Sequence, residues 1–350
     1  MRDGVAPAAD VSGLPIAFGP IRSRRFGWSL GVNNVPLKTC TYACVYCQVG
    51  ATTSARGERA VFFGSETVVA AVAERLAACR GAGQPVDVVT FVPDGEPTLD
   101  QDLGDAIRGI TRLGAHVAVL TNASLTWRDD VRDDLAAADQ VSLKVDTVHD
   151  EVWTRLNRPI GRLHLDAVLD GMRRFARDYR GDLTTETLLV AGLNDDEASL
   201  RATAAFVGAL EPLRAYVAVP TRPPAEPWVR APSIETVRHA AEIFRGFDVP
   251  VSCLSKEIAE DEGPFPAPGD AASGLLGIVA VHPMTISAAR DFIARAGGDW
   301  SAVEALIEGG RIARVRHAGR TYLRASSRPC DRPGSVSPGE GQASADRRLA

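Results

Sequence analysis

Cysteine is scarce in this chain, six in 350 residues. None precedes Cys40, and Cys79, Cys253 and Cys330 are scattered, so the spacing offers no disulfide framework. Long apolar runs are missing as well. The longest, such as residues 275–281, are far too short to span a bilayer, and the opening fifteen residues contain no apolar leader segment. Both absences lead to the expectation of a cytoplasmic protein with no membrane partner. In that compartment thiols stay reduced, and grouped cysteines are metal ligands or catalysts before they are disulfides. A strong excess of one charge is also lacking. At a net −5 the chain has no overall nucleic-acid signature, so any basic surface must be local. The Gly-x-Gly-x-x-Gly turn of dinucleotide-binding folds does not follow the first strand-like run, which lowers that reading.

What the chain does have is Cys40-Thr-Tyr-Ala-Cys44-Val-Tyr-Cys47, half its cysteines in eight residues. Three thiolates with no fourth beside them can bind a metal centre and leave one coordination position open. On a loop, three-residue and two-residue spacings let the sulfurs converge on one face of a cubic iron–sulfur cluster. Zinc is the rival. A structural zinc site wants four ligands, and the fold could bring up Cys79, Cys253 or Cys330 as the fourth, so both metals stay open at this point.

From about residue 17 to 259, strand-like and helix-like segments alternate. Residues 86–92, 117–121, 141–145, 185–190, 215–219 and 249–254 are short runs rich in β-branched residues. Helical periodicity covers 66–79, 103–113, 129–138, 165–179, 197–210 and 234–245, with Ser65 and Ser233 placed to cap the first and last. Such alternation means a parallel sheet with crossover helices, either doubly wound or a partial barrel. Polar residues gather where the strands end, as Asp94-Gly95-Glu96, Asn122 and Asp146 do, and parallel α/β folds build their sites at that edge. Residues 260–272 read as a Pro/Gly/acid-rich linker. Residues 273–325 carry three short helical segments and an alternating hairpin turning at Ala318-Gly319, a winged-helix-like pattern. Residues 1–16 read as a flexible arm and 326–350 as a disordered tail.

The cysteine motif, with an aromatic, Tyr46, directly before its last cysteine, resembles the radical S-adenosylmethionine (radical SAM) superfamily. Gly19-Pro-Ile-Arg-Ser-Arg-Arg-Phe-Gly27, Ser29-Leu-Gly31, Phe91-Val-Pro-Asp-Gly-Glu-Pro-Thr-Leu99 and Pro220-Thr-Arg-Pro-Pro224 are similar to a bacterial branch of iron–sulfur oxidoreductases distantly related to the wyosine-tRNA radical enzymes. The resemblance implies a fold, a partial (β/α)6 TIM-like barrel. It implies that Cys40, Cys44 and Cys47 hold a [4Fe–4S] cluster whose fourth iron chelates S-adenosylmethionine. One electron would cleave that cofactor to a 5′-deoxyadenosyl radical, which abstracts hydrogen from an unidentified substrate. A one-electron donor such as flavodoxin or ferredoxin is the implied partner. Gly95, Glu96, Pro97 and Thr98 would meet the methionine end of the cofactor. The absence of cysteine before Cys40 implies a single cluster.

Other cofactor-binding candidates come from position. Asn122 ends the second strand, and Lys144 and Asp146 end the third on one face. Glu186 is a carboxylate inside a strand, so it must be paired or line the barrel. Asn194 is either a helix cap or a cofactor contact. Arg22, Arg24 and Arg25 precede the cluster loop and suit an anionic substrate or a cofactor carboxylate. Arg222 and Arg158 are candidates for the barrel mouth. Arg311, Arg314, Arg316, Arg320 and Arg324 make the hairpin basic, which suggests nucleic-acid contact. The alternative function is a non-catalytic iron–sulfur or zinc-binding regulator that uses its winged helix on DNA. The Gly95-Glu-Pro-Thr98 segment and the polar strand ends favour the enzyme.

Overall fold

Short apolar, β-branched runs too brief for helices build the sheet. The computed structural model describes residues 14–23, 25–92, 95–254 and 271–326. Arg24, Asp94, Cys330, the tail beyond Ser326, the first thirteen residues of the arm and most of the expected linker lie outside them. Eight strands form one open sheet: β1 (Ala17–Ser23), β2 (Gly27–Val32), β5 (Val88–Phe91), β6 (Val117–Thr121), β7 (Gln140–Lys144), β8 (Asp182–Leu188), β9 (Arg214–Ala218) and β10 (Val251–Leu254). They lie side by side in that order. β1 is antiparallel to β2, and every later pair is parallel. A two-residue pair, β3 (Thr39–Cys40) and β4 (Ser54–Ala55), flanks the cysteine loop.

The crossovers are α1 (Ser65–Gly81), α2 (Leu103–Thr111), α3 (Asp129–Leu135), α5 (Leu165–Asp178), α6 (Glu197–Gly208) and α7 (Ile234–Arg245). A short α4 (Asp150–Leu156) precedes α5. Each crossover buries an apolar stripe. In α2 the fully buried Leu103, Ile107 and Ile110 stand on one face, and in α5 Val168, Met172 and Phe175 do. These stripes and the strand face they cover, with Val89, Phe91, Val117, Val119, Val141 and Leu143, form one core, while the opposite strand face is left for the barrel interior. The result is an α/β fold whose sheet curls into an open, partial barrel.

Three details differ from the sequence reading. The sheet has seven parallel strands rather than six, because Gly27–Val32 leads into the cysteine loop as a strand of its own. Residues 14–16, expected in the arm, are partly buried, and Leu14 packs against the apolar residues of the C-terminal unit. Ser65 does not cap α1 from outside but is its first residue, after Gly64. Ser233 does cap α7, accepting the Thr236 N–H at 3.1 Å.

Residues 271–326 form α8 (Ala271–Val281), β11 (Met284–Thr285), α9 (Ile286–Arg295), α10 (Trp300–Glu308), β12 (Ile312–His317) and β13 (Arg320–Ala325), with β13 central in a three-stranded antiparallel sheet. Their apolar core includes Leu275, Phe292 and Leu323. It continues without a break into Phe18 of β1, Val49 and Cys47 of the cysteine loop, and Val92 after β5. The unit is therefore packed across the end of the barrel that carries the cysteines. Among the described residues no helix is long and apolar enough to cross a membrane.

Candidate active site

The cysteine loop hangs between β2 and α1, and a neighbouring segment holds it in place. Ala43 N and Val45 N donate to Asn157 O and Leu156 O, both at 3.0 Å, and Ile160 N donates to Thr41 O at 3.1 Å. Trp153 of α4 donates its indole N–H to the Tyr42 hydroxyl at 3.1 Å and meets that ring edge-on at 5.8 Å. Asn157 was not singled out from the sequence. Its amide N–H groups reach Asp146 Oδ2 (2.8 Å), the Tyr46 hydroxyl (3.1 Å) and Cys44 Sγ (3.5 Å). It thus ties the cysteine loop to the end of β7.

Beneath the loop lies a cavity of about 650 Å³ at the C-terminal ends of the strands, in the usual size range for small-ligand sites. Cys40, Cys44 and Cys47 all line it. Burial pushes the Cys40 thiol well above its usual value, and the neighbouring charges of Cys44 and Glu96 add to that. Burial, then Cys47 and Asp146, push Cys44 up to about 12. With Cys40 and Cys44 both raised in this way, the site needs positive charge before it can hold thiolates. Iron coordination would supply it, because a coordinating thiol is deprotonated outright. Among the described residues no three His, Cys, Asp or Glu groups converge as a single-ion site would. A cubic cluster binds each thiolate through a different iron and needs no such convergence. Neither Cys79, buried in α1, nor Cys253, in β10, lines the cavity. The donor set fits a three-cysteine cluster.

The strand ends divide into two groups. Gly95, Tyr46, Asn122, Lys144 and Glu186 line the cavity. Glu96, Pro97 and Thr98 are fully buried behind it. Glu96 caps the tight turn Pro97–Leu99, and its Oε1 accepts from Thr98 N (3.0 Å), Thr98 Oγ1 (2.6 Å) and Thr121 Oγ1 (2.6 Å), while Oε2 accepts from Asn122 N (2.8 Å). Burial raises the Glu96 pKa, and these donors hold it back down. Asn122 in turn donates to Thr41 Oγ1 (2.8 Å) and Cys40 Sγ (3.5 Å). Gly95 touches the loop backbone: a Cβ there would stand 2.0 Å from Thr39 O.

On the far side Glu186 of β8 pairs with both Lys144 and Arg25. Lys144 Nζ lies 3.8 Å from Asp146 Oδ1 and 5.0 Å from the Tyr46 ring centroid. Burial draws the Lys144 pKa down, against the pull of Asp146. Asp146 itself does not line the cavity. It accepts from the Tyr46 hydroxyl, from Asn157 and from Leu188 N at 2.9 Å. Asn194 is not a helix cap, because Asp196 caps α6. Its amide bridges Asp146 O and Leu188 O, both at 2.9 Å. Arg22 and Arg222 line the cavity, whereas Arg158 turns outward to Glu226. Arg222 is nearly buried and donates to Pro283 O at 3.1 Å, so the C-terminal unit supplies part of the wall through Val281 and His282.

The hairpin arginines do not share one surface. In the β12–β13 register Arg314 and Arg316 alternate with Ala313 and Val315, and Arg320 and Arg324 lie on the face of Val315 and His317. Arg324 points inward against Gly50 of the cysteine loop. Arg59, also not singled out from the sequence, fixes the 98–100 segment. It donates to Thr98 O (2.9 Å) and Asp100 O (2.6 Å) and pairs with Asp130 and Asp134.

A family model described as the radical SAM superfamily matches residues 34–204. A UPF0026 protein of Methanocaldococcus jannaschii is 35% identical over 310 residues, 88% of this chain and 95% of its own. A UPF0026 protein of Synechocystis is 33% identical over 212 residues, 60% of this chain and 77% of its own. Among solved structures, a radical SAM methyltransferase from Sphaerobacter thermophilus superposes with a TM-score of 0.50 and 19% identity, covering 68% of this chain and 70% of that one. At that identity the likeness speaks for the fold alone.

Proposed function

Since the chain belongs to the radical SAM superfamily and, through a relative matched over almost its full length, to the UPF0026 family, we propose that it cleaves S-adenosylmethionine reductively and abstracts hydrogen from a substrate bound in the same cavity. The observation that carries this reading is the convergence of Cys40, Cys44 and Cys47 on one cavity at the C-terminal edge of a parallel sheet. A bound [4Fe–4S] cluster would supply the electron, taken from a small donor such as flavodoxin or ferredoxin, and the open coordination position for the cofactor.

The chain's own residues do the positioning. Glu96 orients Asn122 from behind the wall, and Asn122 orients Thr41 beside Cys40. Gly95 admits the loop backbone close to the strand end. Lys144 and Arg25, held by Glu186, present cationic donors suited to a carboxylate. The cavity lining among the described residues holds Arg22, Arg25, Lys38, Lys144 and Arg222 against one carboxylate, Glu186. That imbalance favours a substrate bearing an anionic group, beyond the zwitterionic cofactor. The three helices and three-stranded sheet of residues 271–326 support a winged-helix-like reading. Nucleic acid would meet the unit through the exposed Arg314 and Arg316, with Arg320 at the hairpin tip. A cytoplasmic location goes with reduced thiols and an intracellular electron donor.

The test is spectroscopic. The full chain is reconstituted anaerobically with iron and sulfide and reduced, and its electron paramagnetic resonance signal is recorded with and without S-adenosylmethionine. The reading expects one cluster per chain and a signal reshaped by the cofactor. A cluster whose signal ignores the cofactor would sink it.

A further inference from the structure

Unlike the exposed Arg314, Arg316 and Arg320, Arg324 is partly buried against the cysteine loop. It sits in β13 between Leu323 and Ala325, both buried in the core of the C-terminal unit. Its own side chain leaves on the opposite face and lies over the turn at residues 47–50. Gly50 has φ 98°, and a Cβ on it would stand 3.2 Å from Arg324 Cζ and 3.3 Å from Nη1. The positive φ favours glycine there, and a Cβ would press the guanidinium back by a few tenths of an ångström. The turn is closed by Gly50 N donating to Cys47 O at 3.1 Å, so the guanidinium covers the stretch of chain that carries the third cysteine. Nη1 is buried and has no hydrogen-bond acceptor. A buried cationic N–H is costly to leave unmade. Burial draws the Arg324 pKa down and the charge of Cys47 pulls it back, so the two groups act on each other electrostatically.

We infer that Arg324 is a positioning residue for the iron–sulfur site: it holds a fixed positive charge and an unused donor against the Cys47 side of the loop, stabilising negative charge there and latching the C-terminal unit to the site. The inference rests on the cluster reading above. With a cluster bound, Cys47 would be a thiolate, negative charge of the kind the unused Nη1 donor suits. Reduction adds one electron from an external donor and makes the site more negative by one unit, and no bond forms or breaks. A cation fixed in a low-dielectric pocket favours the reduced state, because it costs no reorganisation when the electron arrives. The C-terminal unit thereby becomes part of the redox site as well as a wall of the cavity.

The experiment compares full-length wild type with Arg324→Met, Arg324→Lys and Arg295→Met, the last an exposed arginine of the same unit. Each is reconstituted anaerobically, assayed for iron and sulfide, and titrated with dithionite through mediators while the reduced-cluster signal is followed. Arg324→Met is expected to make reduction about tenfold less favourable, about 59 mV more negative for a one-electron couple. Arg324→Lys should recover most of that, and Arg295→Met should match wild type. A wild-type protein that assembles no cluster defeats the function proposed above. A wild-type cluster with an unchanged potential in Arg324→Met defeats only this inference. If Arg324→Met fails to hold the cluster, Arg324→Lys decides: retention supports the charge, and loss in both variants reduces Arg324 to packing and overturns the inference.

Discussion

Replacing Gly95 with alanine adds one methyl group at the point where the end of β5 touches the cysteine loop. The new Cβ would stand 2.0 Å from Thr39 O and 2.9 Å from Thr39 C, both backbone atoms that no rotamer change can move aside. Ordinary contact needs well over an ångström more, so the loop next to Cys40, or the strand end, must shift. That shift breaks the hydrogen bond from Glu96 N to Thr39 O, now 2.9 Å, inside a buried region. Overpacking of this kind costs about 1–3 kcal/mol, and a buried amide left without its partner costs about 1–3 kcal/mol more. The expected loss is about 2–6 kcal/mol of stability, read as a lowered urea midpoint at unchanged slope. Iron retained per chain after anaerobic reconstitution should fall as well, because Cys40 is displaced relative to Cys44 and Cys47. Serine should behave like alanine. A Gly95→Ala protein with wild-type midpoint and full iron content would refute the reasoning, since it would mean that the loop is not held against this strand end.

Three further outcomes follow from the same geometry. Arg59→Met leaves the half-buried Asp134 and two carbonyls without their donor, and should cost about 3–5 kcal/mol in chemical denaturation. Asn157→Ala removes the bridge between Asp146, Tyr46 and Cys44; the expected cost is about 1–3 kcal/mol, with faster iron loss to a chelator under anaerobic conditions. Burial raises the Asp100 carboxyl from 3.8 to about 7, against hydrogen bonds from Asp102 N and Asn34. The folded state therefore favours the protonated form. That contribution is fully present below about pH 4 and is lost as pH rises to about 7, with an upper bound of about 4 kcal/mol at 1.36 kcal/mol per pH unit. Asp100→Asn should flatten the fall of the urea midpoint between pH 4 and pH 7, and an unchanged slope would contradict the assignment.

The parts legible in the sequence were local. The cysteine spacing, the six later strands and the crossover helices are written in consecutive residues, and the structure places them within a few positions of the periodic runs. Gly27–Val32 was missed because two glycines and a serine blunt its strand signal. The reason is tertiary: Gly31 must be bare, since a Cβ would stand 2.2 Å from the Phe18 ring of β1. Asn157 and Arg59 were missed for a similar reason. Asn157 meets partners 111 and 113 positions away, and Arg59 meets partners 39 to 75 away, so no window of sequence contains either cluster. Glu96 was legible as a conspicuous carboxylate, but its direction was not. Its neighbours supply the donors that turn it behind the wall. The hairpin arginines show the same limit, because alternation gave a strand without saying which face the barrel would cover.

The account turns on whether Cys40, Cys44 and Cys47 hold a cluster that cleaves S-adenosylmethionine. The direct measurement is 5′-deoxyadenosine formed from S-adenosylmethionine by the reduced, anaerobically reconstituted full chain, with Cys44→Ala in parallel. The account predicts product from wild type and neither cluster nor product from Cys44→Ala. Product at the wild-type rate from Cys44→Ala, or a wild-type protein that carries its full cluster, binds the cofactor and yields no product under any reductant, would contradict it.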